Sequence, residues 1–212
     1  LTPGDAAGAL GVKPPRVPIA HRAAAAPTRL QPFVLADGRG APRWPTRVEV
    51  AWDENGLSVA FDCTDDDAWG TFAERDAPLW QQEVVEVFLA AGEAVPTSYF
   101  EFEVSPAGVL FDARVANPHG DRLGMTVNTA WNCAGIACRA APTGERADWR
   151  AELDIPWRGL DLAAPPPTLR ANFYRIERPR GGEPEFSCWS PTLTSPADFH
   201  RPTRFGVLDL IR

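Results

Sequence analysis

The sequence predicts an all-β fold, an antiparallel β-sandwich, on three observations. From residue 46 onward, short stretches alternate apolar and polar side chains with the period of two that a strand imposes. These stretches are separated by turn residues, as in Asp53-Glu54-Asn55-Gly56 and Pro106-Ala107-Gly108. Nothing longer than a short turn near Pro156–Leu162 reads as helix, and there is no internal repeat. Short strands at this spacing build sandwiches.

Taken in order, residues 1 to 44 form a Pro/Ala/Gly-rich lead-in with edge strands expected in RVPIA and LQPFVLA, where proline is tolerated. The sandwich proper is expected over residues 45 to 212. TRVEVAWDENGLSVAFDC gives a hairpin about the Asn-Gly turn, and LWQQEVVEVFLA gives a strand apolar on both faces. SYFEFEVSPAGVLFDARV gives a second hairpin. GIACRAA and DWRAELDIPW give a further pair, with Trp149, Ala151, Leu153 and Ile155 on one face. LRANFYRIER, EFSCWS and RFGVLDLI complete the set. Val85, Val87, Leu89, Phe100 and Phe102 are the expected core.

Composition narrows the function. A chain of 212 residues suffices for one well-cored domain, and its formal charge of −7 disfavours general binding to nucleic acid or anionic membrane. No run reaches the ~18 apolar residues of a membrane-spanning helix. The single lysine, Lys13, lies in the proline-rich lead-in, so lysine-dependent chemistry has no candidate. The histidines are scattered and the cysteines lack zinc spacing. Cys63 and Cys188 fall on apolar alternations and are expected as buried thiols; for Cys133 and Cys138, a local disulfide and free thiols both stay open. The chain begins Leu-Thr-Pro-Gly without an initiator Met or a secretory leader, as expected downstream of a processed or trimmed segment.

One residue breaks the apolar pattern. In VVEVFL, Glu86 shares a face with Val84 and Phe88, so a carboxylate is expected where water is scarce. Such a group needs a metal, an arginine, donated hydrogen bonds or a proton. Tyr99, Glu101 and Glu103 share one face of a neighbouring stretch, and Arg170, Asn172, Tyr174 and Ile176 share one face of another. A solvated sheet face would explain these polar rows, but not the apolar neighbours of Glu86. Aromatics, carboxylates and amides without a nucleophile suit a neutral polyhydroxylated ligand, whose C–H faces pack on rings and whose hydroxyls donate to carboxylates. Trp80, at a strand entrance beside Gln81 and Gln82, is the exposed platform expected among eight tryptophans.

Four strings in order, VEVAWDENGLSVAFDCTDDD, LWQQEVVEVFL, AELDIPW and WSPTLTSPADFHRPTRFGVLDL, resemble the family 9 carbohydrate-binding modules, over roughly residues 45 to 212. The resemblance implies a jelly-roll sandwich associated with xylanases and polysaccharide catabolism. It implies non-catalytic binding of glucose- or xylose-type mono- or oligosaccharides between two aromatic rings, structural calcium, and an extracellular or periplasmic compartment. Trp80 matches one clamp tryptophan, Glu86 a sugar-binding glutamate, and Phe199 stands where the second tryptophan is expected. Glu103 falls near a family arginine, reversing the charge, and ANFYRIE aligns with a glutamine-bearing strand of the family, which places Tyr174 nearby. The carbohydrate-binding set expected is therefore Trp80, Glu86, Glu103, Asn172, Tyr174 and Phe199, with Arg170 or Arg175 neutralising Glu86 when no ligand is bound.

Asp65, Asp66 and Asp67 cluster after a strand, as hard calcium ligands do; Asp65 and Glu83 match acidic family positions and are the expected metal pair. A solvated acidic turn is the competing reading. The same residues admit other functions. Glu86, Glu101 and Glu103 supply enough carboxylates for a glycoside hydrolase, although there is no GxSxG. Haem ligation by Met125 and His119 is disfavoured because one loop cannot reach both faces of the ring. An accessory interaction domain with a decayed sugar site is the third alternative; the partner protein is unspecified.

Overall fold

The computed structural model describes residues 12–144 and 146–212 of the chain, so the first part of the Pro/Ala-rich lead-in lies outside the described residues. Among the described residues, fourteen strands form two sheets. The larger contains β1 (Arg16–Ala20), β14 (Gly206–Ile211), β12 (Thr168–Glu177), β6 (Val84–Ala91), β7 (Ser98–Val104), β8 (Leu110–Ala116) and β9 (Thr126–Asn128) in that spatial order. The edge pair β13 (Glu185–Cys188) and β3 (Val34–Leu35) is attached through β12. The smaller runs β10 (Ala137–Pro142), β11 (Trp149–Pro156), β5 (Gly56–Cys63), β4 (Thr46–Trp52) and β2 (Thr28–Arg29). Pairing is antiparallel except between β1 and β14. β1 is an edge strand, which accommodates Pro18 without costing a central ladder bond.

The alternating residues fill two cores. Between the sheets, Val85, Val87, Leu89, Phe102 and Phe173 pack against Val50, Val59, Phe61, Leu153 and Ile155. On the outer face of the large sheet, Val84, Phe88, Tyr99, Phe111, Tyr174, Phe199 and Phe205 form a second cluster. The second cluster explains why β6 is apolar on both faces. The chain between β13 and β14 folds over it, held where Tyr174 Oη donates to Phe199 O at 2.9 Å and Asn172 Nδ2 to Ser190 O at 2.8 Å.

The turns form for local reasons. Asp53 Oδ1 accepts from the amides of Asn55 and Gly56 at 2.7 and 3.1 Å, closing the β4–β5 hairpin. Gly108, with φ +78°, supplies the left-handed residue of the β7–β8 turn. All four cysteines are free, so of the two readings open for Cys133 and Cys138 the structure has the free thiols. One expectation is corrected. Phe100 is only half-buried, packed on Trp131 with ring centroids 4.9 Å apart. β9 is exposed at all of its residues and shows no alternation, so its pattern was unreadable.

Candidate functional site

The outer face of β6 and β7 carries the first site. Glu86 stands opposite Tyr174 of β12 on one side and Glu103 of β7 on the other, and Glu101 shares the Glu103 face. One carboxyl oxygen from each of Glu86, Glu101 and Glu103 lies within 4.8 Å of the others. They floor a pocket of about 450 Å³ walled by Trp80, Phe111, Met125, Val127 and Phe199, with Arg122, Arg178 and His200 among its lining. A larger, more open groove of about 680 Å³, beside Arg43 and the 179–186 loop, contains none of these carboxyls.

Trp80 reaches the pocket because a 3-10 turn, Leu79–Gln81, buries Leu79 and turns the next side chain outward. Its indole is 42% exposed and meets Phe111 edge-on, with centroids 5.4 Å apart. Arg178 Nη2 donates to Trp80 O at 3.0 Å and pins the turn. Phe199 is stacked on Tyr174 at 4.2 Å.

The electrostatics are unusual for a sheet face. Glu86 is 3% exposed and Glu103 1%. Burial pushes the Glu86 carboxyl well above the usual range, the Glu101 charge adds to the rise, and Arg122 opposes it. Glu103 is raised by burial and then by the charges of Glu86 and Glu101. Burial also lifts Glu101, to about 7, against the opposing effects of its hydrogen bond with Glu103 and of Arg122. Arg122 spends its Nε on Asp198 Oδ1 at 2.6 Å, and burial drops His200 to about 4, so it adds no positive charge at neutral pH.

The structure thus brings Trp80, Glu86, Glu103 and Phe199 together. Asn172 and Tyr174 are corrected: both are fully buried, and neither lines the pocket. The Asn172 amide bonds Ser190 in both directions, and the Tyr174 hydroxyl holds the Phe199 carbonyl. They position the loop that carries Phe199. Arg170 and Arg175 do not neutralise Glu86 either. Arg170 donates to Glu93 O and Phe205 O, whereas Arg175 is on the opposite face of β12, opposite Val85.

Arg175 belongs to a second cluster, on the sandwich-interior face. Asp65, Glu83 and Glu177 converge there, with one oxygen from each within 4.8 Å of the others. Asp65 is fully buried, which removes the solvated-turn reading for that residue; Asp66 is exposed and pairs with Arg146. Arg175 donates to Asp65 Oδ2 at 2.7 Å and to Glu177 Oε2, and Trp149 Nε1 donates to Asp65 Oδ2 at 3.2 Å. Glu83 Oε1 and Glu177 Oε1 remain without partners although buried. Burial, followed by neighbouring carboxylate charge, pushes Glu83 up to about 10. Glu177 reaches about 7 by burial, with Arg175 opposing. Three carboxyls against one guanidinium, with two free buried oxygens, fit a hard cation held by oxygen ligands.

Sequence reasoning missed Glu101 as a pocket residue, although its parity with Glu103 carried the signal, and missed Glu177, which faces Glu83 in the extended β6–β12 register. Arg122 and His200 come from loops, where no periodic signal exists. Among known proteins, the sequence matches Carbohydrate-binding family 9 over residues 41–210. It is 26% identical over 163 residues to an "Extracellular protein" of Arthroderma benhamiae, spanning 73% of each chain. The fold is similar to that of a protein of Bacteroides uniformis described as a candidate carbohydrate-binding protein, with TM-score 0.72, 16% identity, and 94% of this chain and 99% of that one covered. It is also similar to a family 9 carbohydrate-binding module of Caldicellulosiruptor kristjanssonii. The module solved with cellotriose gives TM-score 0.60 and 13% identity, covering 92% of this chain and 93% of that one. With glucose the TM-score is 0.59 at 13% identity, covering 92% and 95%. The match across most of the sequence settles membership: this chain belongs to carbohydrate-binding family 9.

Proposed function

We propose that the pocket between Trp80 and Phe199 binds a glucose- or xylose-type mono- or oligosaccharide without chemical turnover, outside the cell, as an accessory to polysaccharide breakdown. The observation that carries this reading is the exposed Trp80 indole at the rim of a pocket floored by buried carboxyls. A pyranose C–H face stacks on an indole, and its hydroxyls donate to acceptor oxygens such as those of Glu86 and Glu103. The glucose and cellotriose bound by the similar modules support the ligand class, and the name of the Arthroderma relative supports the compartment. Glycosidase carboxyls flank a glycosidic bond, whereas these three crowd one point on a single sheet. We assign the second cluster, Asp65, Glu83 and Glu177, to a structural calcium ion; its unpartnered buried oxygens support this.

Calorimetric titration with glucose, xylose and cellobiose tests the reading, followed by recovery of the cellobiose. Saturable binding with intact cellobiose is expected. No binding of any of the three, or release of glucose from cellobiose, overturns it.

A further inference from the structure

The pocket holds more acceptor oxygens than a neutral sugar needs. Glu86, Glu101 and Glu103 converge on one point, and Glu103 Oε2 is buried with no hydrogen-bond partner while its residue lines the pocket. Among the described residues, neither nearby guanidinium bonds to these carboxyls. Arg122 donates to Asp198, and Arg178 donates to Trp80 O and lies over the Phe186 ring at 5.6 Å. The cluster is therefore short of positive charge and of N–H donors at one place, directly beneath aromatic walls.

From these observations we infer that the preferred ligand is an amino sugar with a free, protonated amine, whose ammonium is seated among Glu86, Glu101 and Glu103. The inference rests on the saccharide reading of the same pocket. An ammonium presents three N–H donors and no acceptor. Three hydrogen bonds of ~2.8 Å from one tetrahedral nitrogen place their acceptors roughly 4.6 Å apart, a spacing this trio accommodates. The ammonium supplies the missing charge, lets the carboxyls ionise together, and satisfies Glu103 Oε2. A bare metal ion would neutralise the trio too, but has no use for the Trp80, Phe111 and Phe199 walls, which match a ring with apolar faces. An N-acetyl group removes the charge and adds an acceptor facing carboxyls, so acetylated amino sugars are excluded.

The test compares matched ligands by calorimetry in calcium-containing buffer: D-glucosamine against D-glucose and N-acetyl-D-glucosamine, and the β-1,4 glucosamine dimer against cellobiose. The free amine is expected to bind about tenfold or more tightly than its hydroxyl or acetylated counterpart, the scale of charge-assisted hydrogen bonds. Glu101→Gln should shrink that preference, read as the ratio of glucosamine to glucose affinity within the same variant. The ligand series on the unmodified protein decides the matter even if a variant misfolds. Glucose and cellobiose binding as tightly as the amines overturns the amine assignment and leaves the saccharide reading standing. Failure of every sugar to bind overturns both.

Discussion

Replacing Trp80 with alanine separates a binding platform from a core residue. The indole is 42% exposed, and a tryptophan offers up to ~250 Å², so roughly 100 Å² awaits a ligand. Covering all of it at ~25 cal/mol per Å² would contribute about 2.5 kcal/mol. One pyranose covers only part of the ring, so a loss of about 1–2 kcal/mol, or roughly 5- to 30-fold in affinity, is expected for Trp80→Ala. Stability should change little, because Leu79 anchors the 3-10 turn and Arg178 holds its backbone carbonyl. The edge contact with Phe111 is the main packing lost. Titration calorimetry with cellobiose, paired with thermal melts of both proteins, measures the two effects. Binding within twofold of the parent, or collapse of the fold, would refute the platform argument.

Two further outcomes follow from the buried carboxyls. Chelation should lower the melting temperature by about 5–10 °C, the effect of losing an ion present near 100 times its Kd, and Glu83→Gln should abolish the response; an unchanged melt dismisses the ion. In chelator, stability should fall as pH rises from about 4.5 to about 7. Glu101 and Glu177 have folded values near 7 against 4.5 when unfolded, so in that window the folded chain holds protons the unfolded chain has released. Asp53, Asp66 and Asp198, whose values are lowered, act oppositely and only in stronger acid. A melting temperature that climbs between pH 5 and 7 contradicts this assignment, and Glu101→Gln should flatten the fall.

Period-two patterning made most of the architecture legible, because each central strand has two sides and both are packed. It placed Val85, Val87 and Phe102 in the sandwich and put Glu86 on the other face among apolar neighbours. Parity alone does not say whether a polar atom is free. Asn172 and Tyr174 share the Glu86 face, yet the loop after β13 consumes their hydrogen bonds. Nor does parity reveal what a loop brings. Phe199 entered only through family resemblance, and nothing local announced Arg122, which adopts φ +69°. The parallel β1–β14 pair escaped for a similar reason, since pairing between the two ends of a chain leaves no trace in local alternation.

The two carboxylate clusters share one short stretch, in which Trp80, Glu83 and Glu86 follow within seven residues, and their difference lies in where β12 turns its guanidinium. Glu83 faces the sandwich interior, where Arg175 bonds Asp65 and Glu177 and approaches the Trp149 ring at 6.0 Å. That cluster is closed over by the sandwich, and in our proposal a calcium ion takes up its remaining charge. Glu86 faces outward, where β12 offers Tyr174 and Ile176 in place of a cation. Moving the arginine of β12 by one residue would carry it to the Glu86 face and fill the pocket floor with its own counter-charge. With Arg175 where it is, the outer trio keeps unmatched acceptors beneath an open mouth. The position of one guanidinium thus separates a cluster that is internally paired from one whose acceptors face a pocket.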